Sequence, residues 1–394
     1  MNQRLLLLAA LAACTTDMPE RGGPIVRDSA GVRIVENTTA LWQPGREWRL
    51  SEERVVDIGG GDTEEDQLFR VAGALRLSDG RIVVGNGGTH ELRIFDADGA
   101  HLLTAGRKGK GPGEFETFFW IGRFSDDSIL AYDISNRRVS VYSPEGGYVR
   151  SVGLELPSTP RFPEPFGVLI DGRVVAVPGF DRQFGRGERR DSVPVLIFAK
   201  DGGTADTIAV FPGREQFFLV GDAMAMRVPI GFGRNVFAGV GGNRIAIGAN
   251  DTYEISVFES DGSLMIQIRD NRPTEQVSTN DVDAWRKGQI DRMPEPMRTQ
   301  IARLVNEIPV RETYPAFSAI VVDTEGAVWV EDYRRPAAES ARWTVFSPDG
   351  ALVAQVTTPL ELEVYEIGPD YILGLWRDAD DVEYIQLYDL IKPK

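Results

Sequence analysis

Two histidines, His90 and His101, and one cysteine, Cys14, are the scarce chemical resources of this 394-residue chain. The histidines bracket one strand-like run, Glu91-Leu-Arg-Ile-Phe95, so a metal centre built from several imidazoles is excluded, and a single cysteine excludes a Cys-rich site or an internal disulfide. Gly106-Arg-Lys-Gly-Lys-Gly-Pro-Gly113 sets Lys108 and Lys110 among glycines. A phosphate-cradling loop needs Gly-Lys followed by Ser or Thr and then a helix, and neither follows here. The stretch reads instead as a connection whose glycines admit unusual backbone angles. Asp96-Ala-Asp-Gly99 and Asp378-Ala-Asp-Asp381 lack the alternating acids and terminal Glu of an EF-hand loop, and Asp-Gly between strands is hairpin chemistry. No Gly-x-Ser-x-Gly elbow occurs, so no serine nucleophile of that type is assembled. Catalytic, metal and cofactor residues are therefore assigned to none.

Cys14 has a different meaning. Residues 1–14 carry Arg4, then the apolar run Leu5 to Ala13, then the cysteine. The run is too short to span a bilayer, and it has the layout of a secretory signal. Leu11-Ala-Ala-Cys14 resembles the bacterial lipobox, in which the cysteine is lipidated and becomes the new N-terminus. Thr15 follows rather than Asp, which favours the outer membrane, facing the periplasm. Residues 15–30 lack an apolar period and read as a flexible tether.

The elements that position everything else come from repetition. Val71-Ala-Gly-Ala-Leu-Arg, an Asp-Gly turn, Ile82-Val-Val, then Glu91-Leu-Arg-Ile-Phe-Asp-Ala-Asp-Gly99 and His101-Leu-Leu-Thr-Ala-Gly106 form one unit. Trp120-Ile-Gly-Arg-Phe, Ile129-Leu-Ala, Arg138-Val-Ser-Val-Tyr-Ser-Pro-Glu-Gly146 and Tyr148-Val-Arg-Ser-Val-Gly153 repeat it. Each unit is four short strands separated by tight turns, too small to bury its own apolar faces, so the units must stack around an axis. Further units are marked by Val195-Leu-Ile-Phe-Ala-Lys-Asp-Gly202, Ile255-Ser-Val-Phe-Glu-Ser-Asp-Gly262 and Trp343-Thr-Val-Phe-Ser-Pro-Asp-Gly350. The last unit, ending at Glu383-Tyr-Ile-Gln-Leu-Tyr388, has three strands, while Arg54-Val-Val-Asp-Ile-Gly59 is a fourth strand without its first three. Joining them closes a ring, which removes exposed sheet edges. The fold class is all-β: a six-bladed β-propeller over residues 31–394, closed by an N-terminal strand, with Gly31–Glu36 and Glu47–Ser51 as edge strands beside it. Residues 180–191 lengthen a loop of the third blade. Residues 274–308 break the pattern as a small helical insertion, with Asn280 as N-cap and Met297, Ile301, Leu304 and Ile308 at helical spacing. It is expected to lie across one face of the ring.

Gly106 to Phe115, Phe124 to Asp133 and Asn136 to Gly146 resemble the NHL-repeat pattern, and the chain is similar to bacterial six-bladed propeller lipoproteins related to NHL proteins. The likeness is strong over 68–153 and weaker over 160–390. It implies a fold and a location; propellers of this kind include binding scaffolds, lyases and lactonases alike. Residues leading into each innermost strand rim the central funnel, which makes Arg70, Trp120, Arg161, Arg234 and Tyr314 the candidate ligand contacts. The net charge of −16, from 59 acidic against 43 basic residues, opposes nucleic acid as a partner. The resulting expectation is a lipid-anchored, non-enzymatic binding or scaffold protein whose partner is an unknown protein or small ligand. The alternative is an NHL-like lyase or lactonase with a carboxylate-bound metal on the axis; an adaptor docking through 274–308 is a third. Cys14→Ser should abolish acyl labelling and release the protein from membranes; unchanged membrane retention contradicts the anchor.

Overall fold

The computed structural model describes residues 23–38, 47–61, 63–156, 161–179, 185–203, 206–220 and 225–393; Cys14 lies outside them. Six sheets, each built on a four- or three-stranded antiparallel meander, follow one another along the chain. Blade one comprises Val71–Arg76, Ile82–Asn86, Glu91–Phe95 and His101–Ala105, and blade two Phe118–Arg123, Ile129–Asp133, Arg138–Tyr142 and Tyr148–Gly153. Blades three, four and five begin with Pro163–Val168, Val236–Gly241 and Phe317–Val322, and blade six with Leu362–Ile367. These first strands touch their neighbours in sequence around the axis, and the strand of blade six returns to that of blade one. The protein is a six-bladed β-propeller.

The physical cause of each blade is legible in its strands. Ile82–Asn86 and Ile129–Asp133 are buried at every position, because neighbouring blades cover both faces; such strands carry continuous apolar runs rather than alternation. The turn before each fourth strand ends in Gly99, Gly146, Gly202, Gly262 or Gly350, with φ between 78° and 92°, a left-handed conformation that glycine adopts without a Cβ penalty. Near the axis the first strands crowd together. A Cβ on Gly167 would lie 2.3 Å from that of Val240, so side chains are excluded there for lack of space.

Closure follows the expected pairing. Val56–Ile58 runs antiparallel to Glu383–Ile391, with Val56 opposite Leu387 and Ile58 opposite Ile385. Val56 and Ile58 enter one buried cluster with Ile82, Leu373, Leu375 and Ile385. Arg49–Leu50 extends the same contact further along, opposite Ile391 and Leu390.

Four local expectations are corrected. Ile25–Ser29, assigned to the tether, is a strand, joined to Val32–Asn37 by a turn with positive φ at Ala30 and Gly31. Its composition hid it: all five residues are exposed, and their partner supplies the pairing. Val32–Asn37 does not merely lie beside the ring; it pairs in parallel with Leu264–Asp270, giving blade four six strands. The stretch taken as a lengthened loop in blade three becomes strand from Gly187, inside the twelve-residue Gly187–Phe198 that pairs with the fifteen-residue Asp206–Val220; residues 180–184 lie outside the described ones. In the insertion, α1 (Thr279–Asp291) is capped by Ser278, which exchanges hydrogen bonds with Asp281 in a capping box, displacing Asn280.

The insertion continues with α2 (Glu295–Leu304), then a 3-10 turn to Glu307, so the helical spacing stops one turn short of Ile308. It packs Val305 and Ile308 against Leu219 and Val228 of blade three, with Trp285 and Ile290 at the margin.

Ile58→Ala should cost about 2–4 kcal/mol, read as the shift in a urea-unfolding midpoint. Val55→Ala, at a residue 51% exposed, should stay within about 0.5 kcal/mol. Equal effects would show that the ring does not depend on this pairing.

Candidate ligand-binding face

Up-and-down blades bring every connection into a first strand to one end of the ring, together with the turns between second and third strands. This end is the mouth. Arg70 stands there, exposed, its guanidinium 5.3 Å above the Phe69 ring and its backbone in the left-handed region at φ 53°. Trp120 is half-buried along the axis, where it packs against the buried cluster of blades two and three. Arg161 lines a separate cavity in blade three. Arg234 acts as a clamp: it donates to the Thr313 carbonyl at 3.1 Å, the Thr313 hydroxyl at 2.5 Å and the Phe232 carbonyl at 3.2 Å. Tyr314 is buried to 7% exposure, with Phe232 edge-on at 5.3 Å, Tyr333 at 5.6 Å and the Arg335 guanidinium 5.5 Å above its ring. Burial and the neighbouring Asp281 carboxylate push its hydroxyl pKa upward. The five rim residues therefore do not form one site.

What gathers around Tyr314 is a cavity of about 360 Å³ between blades four and five, beside the insertion. Its wall is an ion network. Asp332 accepts from Arg272 at 2.9 Å, from Arg342 at 2.5 Å and from Thr344 at 3.2 Å. Arg272 also donates to Asp270 at 2.6 Å and lies 4.2 Å above the Tyr253 ring. Desolvation opposes the charge on Arg272, but Asp270, Asp332 and Tyr253 together raise its pKa. Arg335 reaches Glu275. Every guanidinium here thus faces a carboxylate, and Arg272 and Arg335 lie over the rings of Tyr253 and Tyr314. Such a wall suits hydrogen bonding to a polar, uncharged ligand beside aromatic side chains. Of the residues lining this cavity, sequence reasoning named Tyr314 and did not name Arg272, Asp332, Tyr333 or Arg335. The Asn271-Arg-Pro and Tyr333-Arg-Arg breaks in the strand pattern were the available signal.

The axial channel is a further cavity of about 280 Å³, bordered by Gly122, Gly167, Gly239, Gly241 and Trp120. At its far end Arg123 is 3.1 Å from Asp127 and 3.9 Å from Glu366. Tyr371 donates to Glu366, and Arg76 lies 4.7 Å above the Tyr371 ring. Burial pushes the Glu366 carboxyl upward, partly offset by Arg123 and Tyr371.

Among the described residues no group of three or more His, Cys, Asp or Glu side chains is placed to hold a metal. His90 sits in the mouth-side turn before Glu91–Phe95, and His101 beyond the other end of that strand, bonded to Thr104 at 2.9 Å. The glycine-rich loop is filled by its own residues: Glu114 accepts from Gly111 at 2.8 Å and Arg107 at 2.8 Å, and Lys110 pairs with Glu116 at 3.3 Å. Asp96 and Asp378 each accept two backbone N–H groups of their own turns.

A family model described as a 6-bladed beta-propeller, DUF5128, matches residues 62–160, essentially blades one and two. A member of the DUF4221 family from Bacteroides vulgatus is 11% identical, with 88% of this chain and 99% of that one covered, at a TM-score of 0.52. A putative exported protein from Bacteroides fragilis is 13% identical over 92% and 99% of the two chains, with a TM-score of 0.49. Virginiamycin B lyase from Staphylococcus aureus is 10% identical over 88% and 100%, with a TM-score of 0.41. At these identities the likeness is one of fold. No curated protein sequence matches the chain significantly.

Glu366→Gln provides a pH test. Because the folded pKa is raised above the ordinary 4.5, the native state binds more protons above that value and loses the associated stability as pH climbs through the folded pKa. The variant should melt at the wild-type temperature below pH 4.5 and higher than wild type at pH 8. A lower melting temperature at pH 8 would mean that the pair with Arg123 outweighs burial.

Proposed function

We propose that this chain is a binding propeller without chemistry of its own, held in the bacterial cell envelope by a lipid at Cys14. Its ligand occupies the mouth cavity between blades four and five. The observation that carries the reading is the cavity wall, where Tyr314 and Tyr333 stand beside guanidinium groups already neutralised by Asp332, Asp270 and Glu275. Fixed, charge-balanced donors next to aromatic faces favour a saccharide or an uncharged peptide segment, because neither demands a net charge from the site.

The lyase or lactonase alternative needs a carboxylate-bound cation on the axis, and Glu366 is the one acidic side chain among the described residues bordering the channel. The anchor reading rests on the sequence through Cys14. No helix among the described residues is long and apolar enough to cross a membrane. Ile25 pairs with Glu36 at the mouth end of blade four, so a tether running back to Cys14 would leave beside the mouth.

Thermal-shift titration of the purified protein with N-acetylglucosamine, maltose and a short uncharged peptide tests the site. At least one should raise the melting temperature saturably, and Tyr314→Ala or Tyr333→Ala should weaken that binding about tenfold. Metal analysis is the second arm. Stoichiometric calcium or zinc, or a melting response to all three probes that Tyr314→Ala and Tyr333→Ala leave intact, would overturn the reading.

A further inference from the structure

The space around Tyr314 does not end at Arg335. An outer cavity of about 780 Å³ lies against the mouth cavity, and the two share Glu275, Tyr314, Asp332, Tyr333, Arg335 and Arg342 in their walls. They are two parts of one groove. One wall is the neck of the helical insertion. It is held down where the Val277 N–H bonds the Glu312 carbonyl at 2.8 Å and the Tyr314 N–H bonds the Glu275 carbonyl at 3.0 Å. The other wall is the connection from Val328–Asp332 to Ser340–Phe346. Pro336 directs its course: it holds the second position of a turn in which the Ala338 N–H bonds the Arg335 carbonyl at 3.0 Å, where a fixed φ fits.

The Arg335–Glu275 pair ties the two walls together at the boundary between the cavities. Its side chains are 50% and 56% exposed, and so open a pair holds weakly. The tie can therefore part for a ligand that runs past it.

The outer cavity decides between kinds of chain. A peptide is recognised by pairing along a strand edge or by pockets for its alternate side chains. Here the apolar side chains besides the two tyrosines are Ala337, Ala338 and Ala341, too small to frame such pockets. A polyanion needs guanidinium groups free to clamp it. Yet Arg334 donates to Glu331 at 2.6 Å, Arg342 donates to Asp332 at 2.5 Å, and Arg335 faces Glu275. The exposed amide of Gln276 and the exposed hydroxyls of Ser340 and Thr357 complete the wall. Groups that donate and accept, set beside fixed ion pairs, match the hydroxyls of a sugar, which do both.

We propose that the groove binds a chain of neutral sugar units, with one end in the mouth cavity and the rest along Gln276 and Ser340. This rests on the mouth reading and narrows its ligand from a saccharide or peptide segment to an oligosaccharide. The inner cavity alone has the size of a site for one small ligand, so any gain from length must come from the outer one.

Calorimetric titration of the full chain with maltose and maltohexaose, and with the disaccharide and hexasaccharide of N-acetylglucosamine, tests the groove. In at least one series the six-unit chain should bind about tenfold or more tighter than the two-unit chain. Ser340→Leu, at an exposed residue, should remove that gain and leave the disaccharide affinity unchanged; melting curves verify its fold. Tyr314→Ala should weaken both. Absence of the gain, or a gain that Ser340→Leu leaves intact, would overturn the groove while the mouth reading stands. Binding of a short uncharged peptide and of none of the sugars would do the same. Binding of neither sugars nor peptide would overturn both.

Discussion

Everything in this molecule depends on one pairing between distant parts of the chain: Val56–Ile58 against the strand ending the sixth blade. A propeller is a circle of sheets, each covering its neighbour, and a circle left open exposes two apolar faces at once. Here the gap would uncover the cluster in which Ile58, Ile82, Leu375 and Ile385 meet. Buried apolar area is the main stabilising contribution to such a seam, and the backbone ladder fixes its register. The mouth, the axial channel and the cavity in blade three all inherit their positions from that closure.

Departures from regularity are concentrated in blades three and four and in the insertion that precedes blade five. The long hairpin of blade three, the added strands on blade four and the two helices cluster there, while blades one and two keep the plain four-stranded form. The regular blades are also where the family model matches. Regularity carries the ring, and the irregular half carries the polar cavities. The insertion leans on the hairpin through Val305 and Ile308, and Arg234 ties the segment behind it to the mouth by bonding Thr313.

The ring was legible in the sequence because its signals are local and repeated. Asp-Gly or Glu-Gly before a fourth strand and the unpaired fragments at the two ends led to blade number and closure together. The strand Ile25–Ser29 was not legible, since its five residues are exposed and only its partner makes it a strand. Asn280 looked like a cap, but Ser278 two residues earlier satisfies the same free N–H groups with help from Asp281. The mouth was readable only in outline. Rim positions follow from blade order, whereas the network around Asp332 joins residues from different blades, and no spacing rule encodes that meeting.

Val32–Asn37 lies in parallel beside Leu264–Asp270, and Asn37 reaches across to blade five, donating to the Gly350 carbonyl at 3.0 Å and accepting from the Leu352 N–H at 2.8 Å. Both N-terminal segments thus bind partners that a ribosome produces long after them. During translation both segments wait unpaired while the intervening blades emerge, and the nascent chain is open to mispairing with another copy in that interval.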